Sequence, residues 1–103
     1  MMIRGIAAAL VASSTALAAA QGQEALHLRS LAATCASCHG TNGRAAEGSA
    51  VPSLAGTPSV QMIAQMAAFK AGTRSATVMH QLSKGYTDAQ IVQLADYFAA
   101  QQR

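Results

Sequence analysis

The stretch Cys35-Ala36-Ser37-Cys38-His39 is the part of the sequence that decides the fold. Its C-x-x-C-H spacing is typical of covalent haem attachment. Two cysteines at this spacing on a helical turn face the same way, so their thiols can reach the two vinyl groups of one porphyrin. His39 follows at once and can direct its imidazole at the iron. We therefore predict one covalent haem c, attached through Cys35 and Cys38, with His39 as an iron ligand.

Other uses of a close cysteine pair fit the sequence less well. A thioredoxin-like redox pair requires a βαβ context, and no run of residues alternates in the manner of a strand. A zinc site requires four ligands, normally with a second pair at similar spacing, and the chain has only two cysteines. A disulfide between Cys35 and Cys38 would close a very short loop and stabilise the fold little. A structural or redox-thiol module remains the alternative that would bind no haem.

The second axial ligand of the iron has to come from a distant part of the chain. We favour Met79, because it lies in a loop that can approach the opposite face of the haem and because thioether ligation suits an electron carrier. The neighbouring His80 is the rival ligand, and an open sixth position is the third possibility. Met62 and Met66 are one helical turn apart, which favours packing in the core.

Pro52 lies in a loop and allows two interpretations. It either stiffens a turn or provides the carbonyl that accepts the Nδ1–H of His39, which would fix the tautomer and orientation of that ring. His27 is interpreted as a solvated surface residue, because His39 already supplies the first ligand.

Hydrophobic periodicity predicts an all-α fold, with about three main helices and two long loops around the haem. The predicted helices run from Glu24 to about Gly40, from Pro58 to Gly72, and from Thr87 to about Gln101. Thr57 is the expected N-cap of the second helix, and Thr87 forms a capping box with Gln90 in the third. The third helix is also predicted to carry an apolar stripe, formed by Ile91, Leu94, Ala95 and Phe98. A short helical turn is expected near Val78. Loops of this length in a small domain usually wrap a ligand or another group.

Residues 1–20 have the features of a secretory signal peptide. Arg4 precedes an apolar, alanine-rich run, and small residues allow cleavage after Ala20 or, alternatively, after Ala18. An uncleaved apolar anchor is the other interpretation. We therefore expect a periplasmic protein that consists of one domain, residues 21–103, with no further membrane span.

Composition limits the function classes that remain. The formal net charge is +3 and no Lys/Arg cluster occurs, which argues against a nucleic-acid partner. A chain this small buries too little surface without an additional element, and a haem would supply one. No nucleotide-binding motif is present, so any flavin would belong to another chain. We expect no catalytic residue here.

Several segments together resemble class I cytochromes c of the c4/c553-like branch. They are the haem motif, residues 52–56 (PSLAG), Met79 upstream of Asp88, and the helix that ends in Tyr97-Phe98. More narrowly, residues 74–79 (RSATVM) and 84–88 (KGYTD) are similar to the cytochrome subunit of flavocytochrome c sulfide dehydrogenase. The resemblance covers essentially all of residues 21–103. The chain differs from the dihaem members of that family, since it has one haem motif and half their length.

The resemblance implies an electron-transfer protein, not itself an enzyme, that accepts electrons from an FAD-containing subunit that oxidises sulfide. A free c553/c4-like shuttle between redox proteins is the alternative. A haem enzyme or ligand sensor belongs to a third class, which would require an open sixth position on the iron.

Overall fold

The computed structural model describes residues 3–103, with side chains from residue 13 onward. Four α-helices follow one another: α1 (Ile3–His39), α2 (Ser59–Ala71), α3 (Met79–Leu82) and α4 (Asp88–Ala99). Two 3-10 turns, Thr41–Gly43 and Ser83–Gly85, follow α1 and α3. No strand occurs in residues 3–103, so the predicted all-α class is confirmed.

The chain forms two compact units, and the second, Leu31–Arg103, contains every predicted site residue. The predicted signal peptide and its cleavage after Ala20 stay a prediction. Within the residues that the structure describes, no helix combines the length and the hydropathy needed to cross a bilayer.

Helix α1 begins much earlier in the chain than the sequence predicts. The prediction of a start at Glu24 is wrong, because the helix already runs from Ile3. The alanine-rich stretch before Glu24 has high helix propensity, so nothing there interrupts the helix. Its end was predicted correctly at about Gly40. The φ of Gly40 is +87°, and a Cβ there would lie 1.9 Å from the carbonyl oxygen of Arg44, so only glycine fits this turn.

Helix α2 starts at Ser59 and is preceded by Pro58 as the N-cap residue, without a side-chain hydrogen bond. The prediction of Thr57 as the N-cap is therefore wrong. Pro58 has φ −55° and ψ 134°, an extended conformation that places the first helical residue after it. At the other end, Gly72 adopts the left-handed conformation (φ +76°) that commonly terminates a helix, as predicted.

Helix α4 provides most of the core. The predicted capping box is present: the Thr87 N–H donates to Gln90 Oε1 at 2.9 Å, and the Gln90 N–H donates to Thr87 Oγ1 at 3.1 Å. The four buried side chains of the helix are those of the predicted apolar stripe, Ile91, Leu94, Ala95 and Phe98.

The core joins α4 to the other long helices of the compact unit. Ala32 of α1 and Met62 of α2 pack with the α4 side chains, and Met66 lies half-buried against them. The core interpretation of both methionines is therefore confirmed. The hydroxyl of Ser59 also donates to Asp96 Oδ1, which connects the start of α2 to α4.

Candidate functional site

The haem motif lies on the last turns of α1. Cys35 is half-buried and Cys38 is exposed, and neither forms a disulfide. Burial raises the pKa of the Cys35 thiol; the hydrogen-bond contact with Thr34 acts in the opposite direction, and the charge on Cys38 adds to the rise. Two reduced thiols thus lie near each other on the same helix end, and Cys35 contacts the core.

His39 ends α1 and is held by the next loop. Its Nδ1 lies 2.7 Å from the carbonyl oxygen of Pro52. A carbonyl oxygen can only accept, so Nδ1 carries the proton and donates. In the neutral ring, Nε2 therefore has a free lone pair, which is the state that a metal-binding imidazole requires.

The loop that carries Pro52 is held in place by hydrogen bonds to Gly43. The Gly43 carbonyl accepts two backbone hydrogen bonds, from Leu54 at 2.7 Å and from Ala55 at 3.1 Å. The N–H of Gly56 donates to the carbonyl of Phe98 at 2.9 Å, which connects the same loop to α4. The loop is therefore held by backbone hydrogen bonds at the residues that closely follow Pro52.

A side-chain contact adds to this support. The Tyr97 hydroxyl donates to Asn42 Oδ1 at 2.7 Å, and Asn42 itself adopts a left-handed conformation (φ +54°). This hydrogen bond connects α4 to the turn Thr41–Gly43, which follows the end of α1. The sequence interpretation missed the part played by Gly43 and Asn42, since no local pattern connects either of them to α4.

Met79 is the first residue of α3, is half-buried, and lies in the same compact unit as His39. Helix α3 packs against α2. The adjacent His80 has a buried Nδ1 that finds no hydrogen-bond partner among the described residues. A buried polar atom without a partner is unusual in a folded protein, and here it lies next to the expected ligand. His27 is exposed, as predicted.

The donor set fits a covalently attached haem. Two free thiols, an imidazole with its Nε2 available and a half-buried thioether are the groups that haem c requires. The orphaned Nδ1 of His80 and the half-buried apolar side chains of Leu54, Ile63 and Met66 are consistent with a group that completes the interior. Over the described residues, no three His, Cys, Asp or Glu side chains converge as ligands of a free metal ion.

Comparison with known proteins agrees with this chemistry. The family model of cytochrome c matches residues 19–101. The chain belongs to the cytochrome c family, whose members transfer electrons through covalently bound haem c.

Three characterised relatives are similar over about two thirds of the chain. The cytochrome subunit of sulfide dehydrogenase from Chlorobaculum tepidum is 40% identical over 66% of this chain and 60% of its own length. The thiosulfate dehydrogenase electron acceptor from Thiomonas intermedia is 35% identical over 66% of this chain and 31% of its own length. Cytochrome c-552 from Acidithiobacillus ferridurans is 38% identical over 64% of this chain and 28% of its own length. The match thus spans less than two thirds of each relative.

Proposed function

We propose that this chain is a periplasmic cytochrome with one haem that accepts electrons from an FAD-containing sulfide dehydrogenase subunit. The observation that carries the proposal is the C-x-x-C-H motif at the end of α1, with the His39 ring oriented by the Pro52 carbonyl. The 40% identity to a cytochrome subunit of sulfide dehydrogenase supports the narrower assignment.

Each site residue has a distinct part in this proposal. Cys35 and Cys38 would hold the cofactor through thioether bonds, and His39 would bind the iron through Nε2 while Pro52 fixes its ring. Met79 would supply a thioether ligand, which would raise the reduction potential. When bound, the haem supplies one-electron chemistry, since its iron alternates between the ferrous and ferric states. The protein itself moves no proton and breaks no substrate bond.

The proposed docking face lies around Met79. Val78 and Leu82 are exposed at 52% and 51%, and they are one helical turn apart on either side of Met79 and His80. The segment 75–79 carries no charged residue. A lasting subunit interface has an apolar centre with few charges, whereas a diffusing carrier depends more on charge. These features favour a stable complex with the flavoprotein, with Arg74 and Lys84 at its rim.

Export is part of the same proposal. Residues 1–20 would be removed as a signal peptide, because Arg4, the apolar run after it and the small residues up to Ala20 have the features of a cleavable export signal. The mature protein would start at Gln21. Mass spectrometry of the protein from its native source would show this directly, through a mass equal to residues 21–103 plus one haem.

The attachment of haem is tested first. The holoprotein should keep its haem through denaturation and acid–acetone extraction, because thioether bonds survive both treatments. Cys35→Ser and Cys38→Ser should each leave at most one bond and a poorly matured protein. Free extraction of the haem from the unaltered protein would contradict the proposal.

The flavoprotein partner is tested separately. Gentle purification from the native source should yield a larger chain with flavin absorbance that co-elutes in moderate salt. A free monomer that is reduced no faster with a flavoprotein and sulfide than without would favour the alternative of a c553/c4-like shuttle, which the 38% identity to a cytochrome c-552 supports. Rapid binding of external ligands to the unaltered protein would instead indicate a haem enzyme or sensor.

A further inference from the structure

Tyr86 forms hydrogen bonds to two helices, one through its backbone carbonyl and the other through its side-chain hydroxyl. Its carbonyl oxygen accepts a hydrogen bond from Lys70 Nζ at 2.6 Å. Its hydroxyl lies 2.8 Å from Thr34 Oγ1. The Thr34 hydroxyl already donates to the Leu31 carbonyl at 2.7 Å, so the Tyr86 hydroxyl is the donor in their contact. Tyr86 therefore connects the last turn of α2 to α1 at the residue immediately before Cys35.

The bond from Lys70 to the Tyr86 carbonyl is the stronger contact of this lysine. The side chain of Lys70 is 30% exposed, and its hydrogen bond to the Tyr86 carbonyl is partly buried. Its ion pair with Asp88 is longer, at 3.4 Å, and the Asp88 side chain is 97% exposed. An exposed pair of this kind contributes little, whereas a charge-assisted hydrogen bond that is partly buried contributes more.

Hydrogen-bonded turns run without a break from Met79 to Tyr86. Helix α3 passes directly into the turn Ser83–Gly85, and the Tyr86 N–H donates to the Ser83 carbonyl at 3.3 Å. Ser83 is fully buried, and its hydroxyl donates to the His80 carbonyl at 3.4 Å. A shift of Tyr86 is therefore transmitted to the start of α3, because hydrogen bonds restrain the backbone of the intervening turns.

We propose that Lys70 is a positioning residue for the axial ligand Met79, and this inference rests on the haem ligation proposed above. By holding the Tyr86 carbonyl, the ammonium group fixes the downstream end of the Met79 segment to α2, while the Tyr86 hydroxyl connects the same residue to α1, the helix that carries Cys35. Lys70 does not contact the iron in this scheme. It limits how readily Met79 leaves the metal.

The experiment measures how readily an external ligand displaces Met79 in the oxidised holoprotein. Lys70→Met keeps an unbranched side chain of similar length but removes the donor. We expect imidazole to bind this variant about tenfold more tightly or better, the equilibrium factor that corresponds to the loss of one charge-assisted hydrogen bond. The sulfur-to-iron charge-transfer band should also be weaker. Lys70→Arg keeps a donor at this position, so its imidazole affinity and its band should be close to those of the unaltered protein.

Two controls separate positioning from general stability. Ser59→Ala removes the bond to Asp96 at the opposite end of α2, so it should lower the free energy of unfolding without changing imidazole affinity. Asp88→Asn removes the exposed ion pair and a negative charge in the first turn of α4, so it should lower the free energy of unfolding slightly and leave imidazole affinity unchanged.

The outcomes distinguish this inference from the proposed function. If the unaltered protein shows the band and Met79→Ala abolishes it, but Lys70→Met binds imidazole no more tightly than Ser59→Ala does, the positioning role of Lys70 is refuted. If the unaltered protein lacks the band, Met79 is not the ligand, and the inference fails together with that part of the proposed function.

Discussion

Gly43 offers a direct test of how the His39 side of the fold is held together. It is buried, has φ +77°, and its carbonyl fixes the loop that carries Pro52. A Cβ at this position would lie 2.7 Å from Phe98 Cδ1, 2.9 Å from Leu54 Cβ and 3.0 Å from the Ala55 nitrogen. Gly43→Ala therefore introduces a methyl group that is too close to the Phe98 ring, the Leu54 side chain and the Ala55 backbone.

The expected loss of stability has two parts. The left-handed backbone conformation disfavours an alanine by about 1–2 kcal/mol. Overpacking in a close-packed site adds about 1–3 kcal/mol. Gly48 separates the two parts, because it has the same φ of +77° but a Cβ added there would meet nothing within 4 Å. Gly48→Ala should therefore lose only the backbone part.

Unfolding of the holoproteins in guanidinium chloride, followed by far-UV circular dichroism, measures both variants. We expect Gly43→Ala to be less stable than Gly48→Ala by about 1–3 kcal/mol. Each kcal/mol corresponds to a difference in Tm of about 4–8 °C for a domain of this size. Equal stabilities of the two variants would refute the close packing around Gly43 and the reasoning built on it.

Three further predictions concern the iron ligand, a long-range hydrogen bond and the partner. Met79→Ala should abolish the sulfur-to-iron charge-transfer band and lower the reduction potential, since thioether ligation favours the ferrous state; a retained band would exclude Met79 as the ligand. Tyr97→Phe removes the bond to Asn42 and should reduce the free energy of unfolding by about 1 kcal/mol in denaturant titrations; unchanged stability would mean that this bond contributes nothing. Val78→Glu should weaken flavoprotein binding, measured by co-elution in moderate salt, more than Arg74→Gln does; the reverse order would favour a carrier steered by charge.

The features that the sequence predicted well depend on short-range interactions. The capping box of Thr87 and Gln90 involves residues three positions apart, and Gly72 ends α2 because its left-handed conformation needs no partner elsewhere. The apolar stripe of α4 follows from helical periodicity alone. These signals are complete within one or two turns of helix, so a single sequence contains them.

Helix starts were predicted less well. At α2, a threonine before a proline has the composition of an N-cap, but the extended conformation of Pro58 delays the helix by one residue. At α1, alanine-rich residues continue the helix far upstream of Glu24. In both cases several neighbouring residues are acceptable starts, and small energy differences decide between them.

Contacts between distant residues could not be derived from any pattern. Thr34 and Tyr86 are 52 positions apart, and Asn42 and Tyr97 are 55 apart. The contact between His39 and Pro52 is one of the two interpretations that the sequence allows for Pro52, because a metal-binding imidazole needs an acceptor for its second nitrogen. The resemblance to class I cytochromes c favours Pro52 as that acceptor.

The two sides of the proposed iron site are held by different kinds of contact, and this difference has a measurable consequence. On the His39 side, backbone hydrogen bonds to the Gly43 carbonyl and the buried ring of Phe98 fix the loop, so a change there has to disturb the core. On the Met79 side, the ammonium of Lys70 and the hydroxyl of Tyr86 hold a segment with exposed apolar side chains. Side-chain contacts near the surface can be lost without disrupting the core. Gly43→Ala should therefore lower stability while the Met79 band persists, and Lys70→Met should weaken the band with a smaller loss of stability.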